Sequence, residues 1–416
     1  MFLVSWITYA AFYFPRSAFS AAKVGVLEDP SVNTFLTQKM MGNLDALYLA
    51  SYAIGQFVWG AVAERWGTRV VVTGGMAMAG VAAITMGLGT ALWMFAPLMI
   101  VQGLAQATGW AALSKNIASF FTVARRGRAM GFFSTSYALG GLVATPVCGW
   151  FAYSVFDSWR AAFFAGGLII LALLTVFILF QKNSLTEVGL PDIDVIDEDM
   201  PRAPREADVP ITRGRMRFAD LLVAARHDPM VARLGLVYFL LKPARYAILL
   251  WGPVLVLQAM PGISKLTAIM VPIAFGVTGM VAPVVFGWVS DTVFDARRVP
   301  ACVIGLAMLV GVLTLWGPAT RSGSVFLACT MLAALGFAAY GADSMVSGVA
   351  AVDFGTSKYA AGAAGFINGC GSIGAILGGL LPGYVGGTAL FYGFAVAAAL
   401  ATAILIPQWN RRPVSA

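Results

Sequence analysis

The sequence predicts an all-α membrane protein of twelve transmembrane helices, arranged as two pseudo-symmetric six-helix bundles. Three observations carry this prediction. The 416 residues are 59% hydrophobic and only 11% charged, against roughly 25% charged in a soluble globular chain. Uncharged apolar stretches of about 20 residues, enough to cross a hydrocarbon core of ~30 Å, recur from one end of the chain to the other. One long polar stretch at 182–229 separates them into six and six.

The expected spans cover residues 1–22, 45–63, 70–88, 92–114, 129–152 and 160–181, then 231–257, 266–288, 300–317, 323–350, 360–380 and 387–408. The first begins at Met1, lacks a small-residue cleavage site and contains Arg16, so it is expected to stay in the mature protein rather than act as a removable signal. Cys148, Cys302, Cys329 and Cys370 all fall inside spans without paired spacing, which suggests neither a disulfide framework nor a metal site. The polar stretch carries an acidic run at 192–199 followed by Pro- and Arg-rich sequence, the composition of a linker. Within it RFADLLVAARH at 217–227 has apolar residues at helical spacing and suits a helix lying along the membrane surface. His227, the only histidine, is read there as an interfacial residue. The chain therefore divides into a bundle at 1–181, a cytoplasmic linker at 182–229, a second bundle at 230–410 and a cytoplasmic tail at 411–416.

The formal net charge is +8, and its distribution argues for orientation rather than for nucleic acid. With both termini on one side, one set of loops holds Arg65, Arg69, Arg125, Arg126, Arg128, Lys182, the linker arginines, Arg233, Arg297, Arg298, Lys358, Arg411 and Arg412. The opposite set holds only Lys23, Lys39, Arg160, Lys265 and Arg321. By the positive-inside rule the richer set, and both termini, face the cytoplasm.

An internal repeat supports the two halves. GAVAERWGTR at 60–69 recurs as GWVSDTVFDARR at 287–298, an offset of 227 from Gly60 to Gly287. Gly131 pairs with Gly365 and Gly140 with Gly374, both at an offset of 234, and the intramembrane arginines Arg16 and Arg245 differ by 229. Duplicated six-helix units with duplicated loops argue for a transporter that rocks two halves about a central site.

The loop after the second span, with Gly60, Glu64, Arg65, Gly67 and Arg69, resembles the loop signature of the major facilitator superfamily, with a degenerate copy after the eighth span. Within it the chain is similar to the organophosphate:phosphate antiporters, the group that includes glycerol-3-phosphate and hexose-phosphate exchangers. The likeness runs through YAAFYFPR at 9–16, GLAQATGWAALSKNIASFF at 103–121, RYAILLWGP at 245–253 and YGADSMVSGVAAVDFGTSKYAAGAAGF at 340–366. The family's fifth-helix signature is Arg-Gly, five residues, Trp-Asn, two residues, His-Asn, an aliphatic residue and Gly-Gly. Arg126-Gly127, Phe133-Ser134, Tyr137-Ala138, Leu139 and Gly140-Gly141 keep that frame without a gap, and Tyr137 stands in the histidine's place.

Charge inside a bilayer is expensive, so intramembrane ionisable residues generally face a water-filled cavity. Arg16, Lys242, Arg245 and Asp343 are the ones this reading finds. A guanidinium offers a planar fork matched to phosphate or carboxylate oxygens and keeps its charge when desolvated. The resemblance implies that Arg16 and Arg245 clamp a substrate phosphoryl group, one from each half. Lys242, three residues before Arg245, either adds a third positive charge or snorkels away. Asp343, where family members are uncharged, has three open roles: an ion pair with Lys242 or Arg245, a partner for a cationic group on the substrate, or a proton-titrating site. Gln56 stands where several exchangers carry a lysine, and Tyr137 exchanges a titratable imidazole for a hydroxyl donor. Tyr9, Tyr13, Tyr246, Trp110, Trp251 and Asn368 are expected to line the cavity by position. Glu64, Arg65, Arg69, Asp291, Arg297 and Arg298 are expected to gate the cytoplasmic side.

No nucleophile–base set, phosphate-cradling glycine loop or metal-ligand cluster stands out, so neither an enzyme nor a cofactor is expected. The expected function is secondary transport across the inner membrane of a small phosphorylated or phosphonate anion, in exchange for inorganic phosphate, by a monomer in the lipid bilayer. A proton-coupled carboxylate or organic-anion carrier, and a transporter-like receptor for a sugar phosphate, are the alternatives.

Overall fold

The computed structural model describes residues 1–183 apart from 119 and 122, residues 187 and 189, residues 229–349 apart from 296, and residues 360–411. The linker expected at 182–229 lies almost wholly outside these residues, with its 217–227 segment and His227. Lys358 and the tail beyond Arg411 also lie outside them.

The described residues form twelve helices, which follow the apolar runs. Helix α1 is made of Phe2–Ala11 and Tyr13–Val26. Its interruption at Phe12 has a cause in sequence: Pro15 has no N–H to give the carbonyl of Ala11, one turn earlier. Then come α2 (Gln38–Trp66), α3 (Thr68–Gly87), α4 (Leu92–Ala118), α5 (Val123–Trp150) and α6 (Trp159–Phe180). In the second half, α7 is Pro229–Ala259 and α8 combines Lys265–Met270 with Ile273–Thr292. Arg298–Thr320 forms α9, Val325–Ser344 α10, Ala360–Tyr384 α11 and Gly387–Leu405 α12. Among the described residues nine of the helices are by themselves long and apolar enough to cross a membrane. The others are α1, which is broken, and α2 and α4, which carry polar residues such as Asp45, Ser51, Gln102 and Gln106.

Helix starts follow local capping. Thr37 accepts from the Met40 N–H at 3.3 Å, Ser264 from Thr267 at 3.1 Å and Ser324 from Leu327 at 3.3 Å, satisfying donors that a helix N-terminus leaves free. Between α2 and α3 the chain turns at one residue, Gly67, whose φ of +81° is open to glycine and costly for other residues.

Packing in one half repeats in the other. Helices α1 and α5, α2 and α4, α3 and α6 pack together, as do α7 and α11, α8 and α10, α9 and α12. The halves meet through α2 against α11, α1 against α7 and α5 against α8. The sequence repeat has a direct structural counterpart in two glycines. A Cβ at Gly140 would lie 2.8 Å from the carbonyl oxygen of Ala10 and 3.0 Å from its Cα, and one at Gly374 would strike the carbonyl of Phe239. Ala10 and Phe239 are separated by 229 residues, the spacing of Arg16 and Arg245.

Among the described residues, polar contacts between the halves are concentrated at the end of the bundle opposite the chain termini. Gln38 Nε2 donates to the Pro382 carbonyl at 2.6 Å, the Tyr384 hydroxyl to Asn43 Oδ1 at 2.9 Å and Gln258 Nε2 to Gln38 Oε1 at 3.2 Å. Lys265 pairs with Glu28 at 2.8 Å. Gly42 and Gly383 let α2 and α11 approach so closely that a Cβ on Gly42 would sit 3.0 Å from the Gly383 Cα.

Overpacking a tight helix crossing typically costs about 1–3 kcal/mol, so Gly140→Val is expected to lower the thermal unfolding midpoint of the purified protein in detergent. Gly311→Ala, where no atom lies within 4 Å of the new methyl, is expected to leave it unchanged or raise it, since alanine gains up to ~1 kcal/mol over glycine in a helix.

Candidate functional site

A cavity of about 320 Å³ lies between the halves, lined by α1, α2 and α5 on one side and α7, α8 and α10 on the other. Its size suits a small-molecule ligand, for which pockets run from roughly 300 Å³ upward. Arg16, Tyr13, Tyr137, Arg245 and Tyr246 are on the wall, as expected; Tyr48, Tyr52 and Tyr340 join them and were not foreseen. The lining runs along α5 from Pro146 to Gly131, towards the terminus-bearing end.

The two arginines are held differently. Arg16 projects from the first turns of the second segment of α1, and its Nε donates to Gln106 Oε1 on α4 at 2.8 Å. Tyr48 donates to the same oxygen at 2.9 Å. The Arg16 guanidinium carbon stands 4.6 Å from the Tyr13 ring centre and 5.0 Å from that of Tyr52, close enough for cation–π attraction. Among the described residues no carboxylate pairs with Arg16.

Arg245, by contrast, donates through Nη1 to Asp343 Oδ2 at 2.8 Å, and Lys242 Nζ lies 3.4 Å from Asp343 Oδ1. Of the roles left open for Asp343, the ion pair is the arrangement seen. Tyr340 lies under the Arg245 guanidinium at 4.0 Å, while Tyr238 and Tyr246 flank Lys242 at 4.6 and 5.4 Å. Arg245 Nε is buried without a hydrogen-bond partner. Three cations thus face one carboxylate, leaving the site two positive charges in excess and receptive to an anion.

Several residues expected on the wall stand behind it. Tyr9 is buried in a stack with Tyr13, Trp110 and Phe133, with ring centres 5.2 to 6.1 Å apart, and Trp110 meets the edge of Tyr137 at 6.1 Å. Neither Tyr9 nor Trp110 reaches the cavity surface. Trp251 is fully buried in the core between the halves, its indole donating to the Gly379 carbonyl at 3.0 Å. Six residues beyond Arg245, it points to another side of α7. Asn368 is turned back onto its own helix, donating to Ala364 O at 2.9 Å, and Gln56 is not on the wall. Lys242 and Asp343 sit just outside the lining.

The residues expected to gate make contacts within their own halves. Arg69 reaches the Ile178 carbonyl at 2.6 Å and its backbone N–H meets Asn183 Oδ1 at 2.8 Å, tying α3 to the end of α6. Arg298 pairs with Asp291 and donates to Ser290 at 3.1 Å, tying α9 to α8. Arg297 donates to the Phe294 carbonyl at 3.1 Å and to Asn410 at 3.4 Å. Arg65 is exposed, and the side chain of Glu64 lies outside the described residues.

Two ionisable residues escaped the sequence reading. Lys23, expected in a loop, is fully buried in α1, and Asp45, expected at the edge of a span, is fully buried in α2; the two form an ion pair. Each stands near the end of an apolar run, Lys23 just past the span 1–22 and Asp45 at the start of 45–63, where a charge reads as the edge of the membrane rather than as half of a buried pair. The Thr37 cap, which starts α2 at Gln38, was the signal that could have found Asp45.

Residues 1–379 match the model of the Major Facilitator Superfamily, and the chain belongs to that family. It is a family of membrane transport proteins, not of enzymes. The membrane sensor protein UhpC of Salmonella typhimurium is 27% identical over 411 residues, covering 97% of this chain and 90% of that protein. The glucose-6-phosphate exchanger SLC37A2 of Xenopus tropicalis is 27% identical over 378 residues, 83% of this chain and 74% of the exchanger. The same fold occurs in a bacterial homologue of the human lysosomal transporter Spinster, crystallised inward-facing and unoccupied, with a TM-score of 0.71, 14% identity and coverage of 98% of this chain and 94% of that one.

Breaking one member of a buried charge cluster strands its partner, at a cost of about 3 kcal/mol or more. Asp343→Asn, which strands both Lys242 and Arg245, is expected to lower the thermal midpoint of the protein without ligand, whereas Lys242→Met leaves the Arg245–Asp343 pair in place and is expected to change it little. The double change, in which Arg245 alone lacks its carboxylate, is expected to recover part of the Asp343→Asn loss, measured by differential scanning fluorimetry of the intrinsic tryptophans.

Proposed function

We propose that the protein is an inner-membrane secondary transporter that exchanges a small phosphorylated or phosphonate organic anion for inorganic phosphate, working as a monomer. The observation that carries this reading is the contrast between the two arginines. Arg16 is steered by Gln106 and Tyr48 yet pairs with no carboxylate among the described residues, so its fork is available to an incoming anion. Arg245, across the cavity, is held by Asp343 until a stronger anion competes for it. Asp343 then keeps Lys242 as its counter-ion. An anion that binds Arg16 and Arg245 together draws the halves inward, and it favours the occluded state over the empty one. Exchange is the outcome, because an empty site with two excess positive charges has little reason to close.

With the chain termini on the cytoplasmic side, as the positive-inside rule implies, the concentration of contacts at the opposite end supports an inward-facing state. The exchanger relative supports a sugar phosphate or similar ester as substrate, while the sensor relative favours a second reading, recognition of such a ligand without flux.

Counterflow decides between these. Proteoliposomes preloaded with inorganic phosphate are expected to take up labelled phosphate, and external glucose-6-phosphate or glycerol-3-phosphate is expected to compete. Binding without counterflow would favour the sensor, and indifference to millimolar phosphate would favour a carboxylate carrier. Arg16→Lys and Arg245→Lys are each expected to slow exchange about tenfold or more, because a charge-assisted fork contact contributes ~1.5–3 kcal/mol and lysine cannot reproduce its geometry.

A further inference from the structure

Lys23 and Asp45 form a second ionic centre that the cavity does not use. Their side chains are 0% and 2% exposed. The Lys23 ammonium meets the Asp45 carboxylate, the Leu250 carbonyl at 2.9 Å, the Trp251 ring at 4.1 Å and the Phe19 ring at 4.7 Å. Leu250 and Trp251 belong to α7, in the other half. Trp251 is in turn fixed to the Gly379 carbonyl of α11, and Gly379 lies so near α2 that a Cβ there would be 3.0 Å from the Cβ of Asp45. The pair is therefore seated where α1 and α2 meet α7 and α11. Lys23 is seven residues beyond Arg16 and Leu250 five beyond Arg245, so it lies between the two arginines and the closed end of the bundle.

We propose that Lys23 and Asp45 are the latch that keeps this end shut, with Lys23 as the bridge between the halves and Asp45 as its counter-ion. The argument is one of solvation. In the closed arrangement both charges are out of water and depend on each other. Opening this end withdraws Leu250 and Trp251 from Lys23 and admits water to both groups. Neutralising one partner alone leaves a buried group that must either exchange a proton and become neutral or be hydrated in the open arrangement, which favours opening wherever the charge is kept. Neutralising both removes that drive. The two single changes are unequal, because Lys23 without Asp45 keeps the Leu250 carbonyl and the Trp251 face, whereas Asp45 without Lys23 keeps no cation.

Pulsed EPR on the full chain in lipid nanodiscs tests this without any substrate, so its outcome is independent of which anion the cavity takes. Spin labels go on Lys39→Cys and Val385→Cys, exposed positions on opposite halves at this end, with the native cysteines replaced. The parent protein is expected to give a short distance. Lys23→Met is expected to shift the closed-to-open ratio at least about tenfold, Asp45→Asn less, and the double change is expected to return most molecules to the short distance. A Lys23→Met distribution that matches the parent's, or a double change that opens as far as Lys23→Met, overturns the latch. Should Lys23→Met fail to fold, Asp45→Asn carries the test, and an unmoved distance in it overturns the proposal equally.

Discussion

A charge kept from water needs an opposite charge, a set of dipoles or a ligand, and this bundle is organised by how far each of its buried charges has found one. Lys23 and Asp45 are satisfied completely, by each other, by a carbonyl and by aromatic faces. Lys242, Arg245 and Asp343 are satisfied in part, three charged groups with one positive charge left over. Arg16 has tyrosine faces and a glutamine oxygen but no carboxylate among the described residues. The gradient from full to partial satisfaction runs from the closed end of the bundle towards the cavity. It separates charges that are neutralised within the scaffold from those that face the cavity with positive charge to spare.

The pseudo-symmetry sharpens this. Helices α1 and α7 occupy matching positions, each with a proline just ahead of its arginine and each pressed against a glycine-bearing partner. The backbone therefore delivers two guanidinium groups to opposite walls by one device used twice. What differs is the company: Gln106 and tyrosines around Arg16, Asp343 and Lys242 around Arg245. Identical framing thus carries unequal charge balance, an arginine without a carboxylate among the described residues on one wall and a paired one on the other.

The fold was legible in the sequence because apolar length, positive loops and the offset between duplicated residues are one-dimensional signals. Arg16 and Arg245 were legible as well, since a cation in an apolar run stands out, and Tyr13, Tyr137 and Tyr246 through their place in the family's motifs, whereas Tyr48 and Tyr52 carry no such mark. Trp251 and Tyr9 lie on the right helices, but which face of a helix meets the cavity depends on neighbours that only the assembled bundle supplies. Gln106 escaped for a different reason: an uncharged amide inside α4 draws no attention until Arg16 and Tyr48 are seen to share its oxygen. Lys23 and Asp45 hid because they cancel in three dimensions while each interrupts the pattern in one.

The crossings at Gly140 and Gly374 leave no slack between α1 and α5 or between α7 and α11. The backbone that bears each arginine is consequently fixed to a pair of helices. The gap between the two guanidinium groups then tracks the tilt of one bundle against the other, as the jaws of a caliper follow its handles. The tilt that positions the two guanidinium groups is thus set at two residues that have no side chain at all.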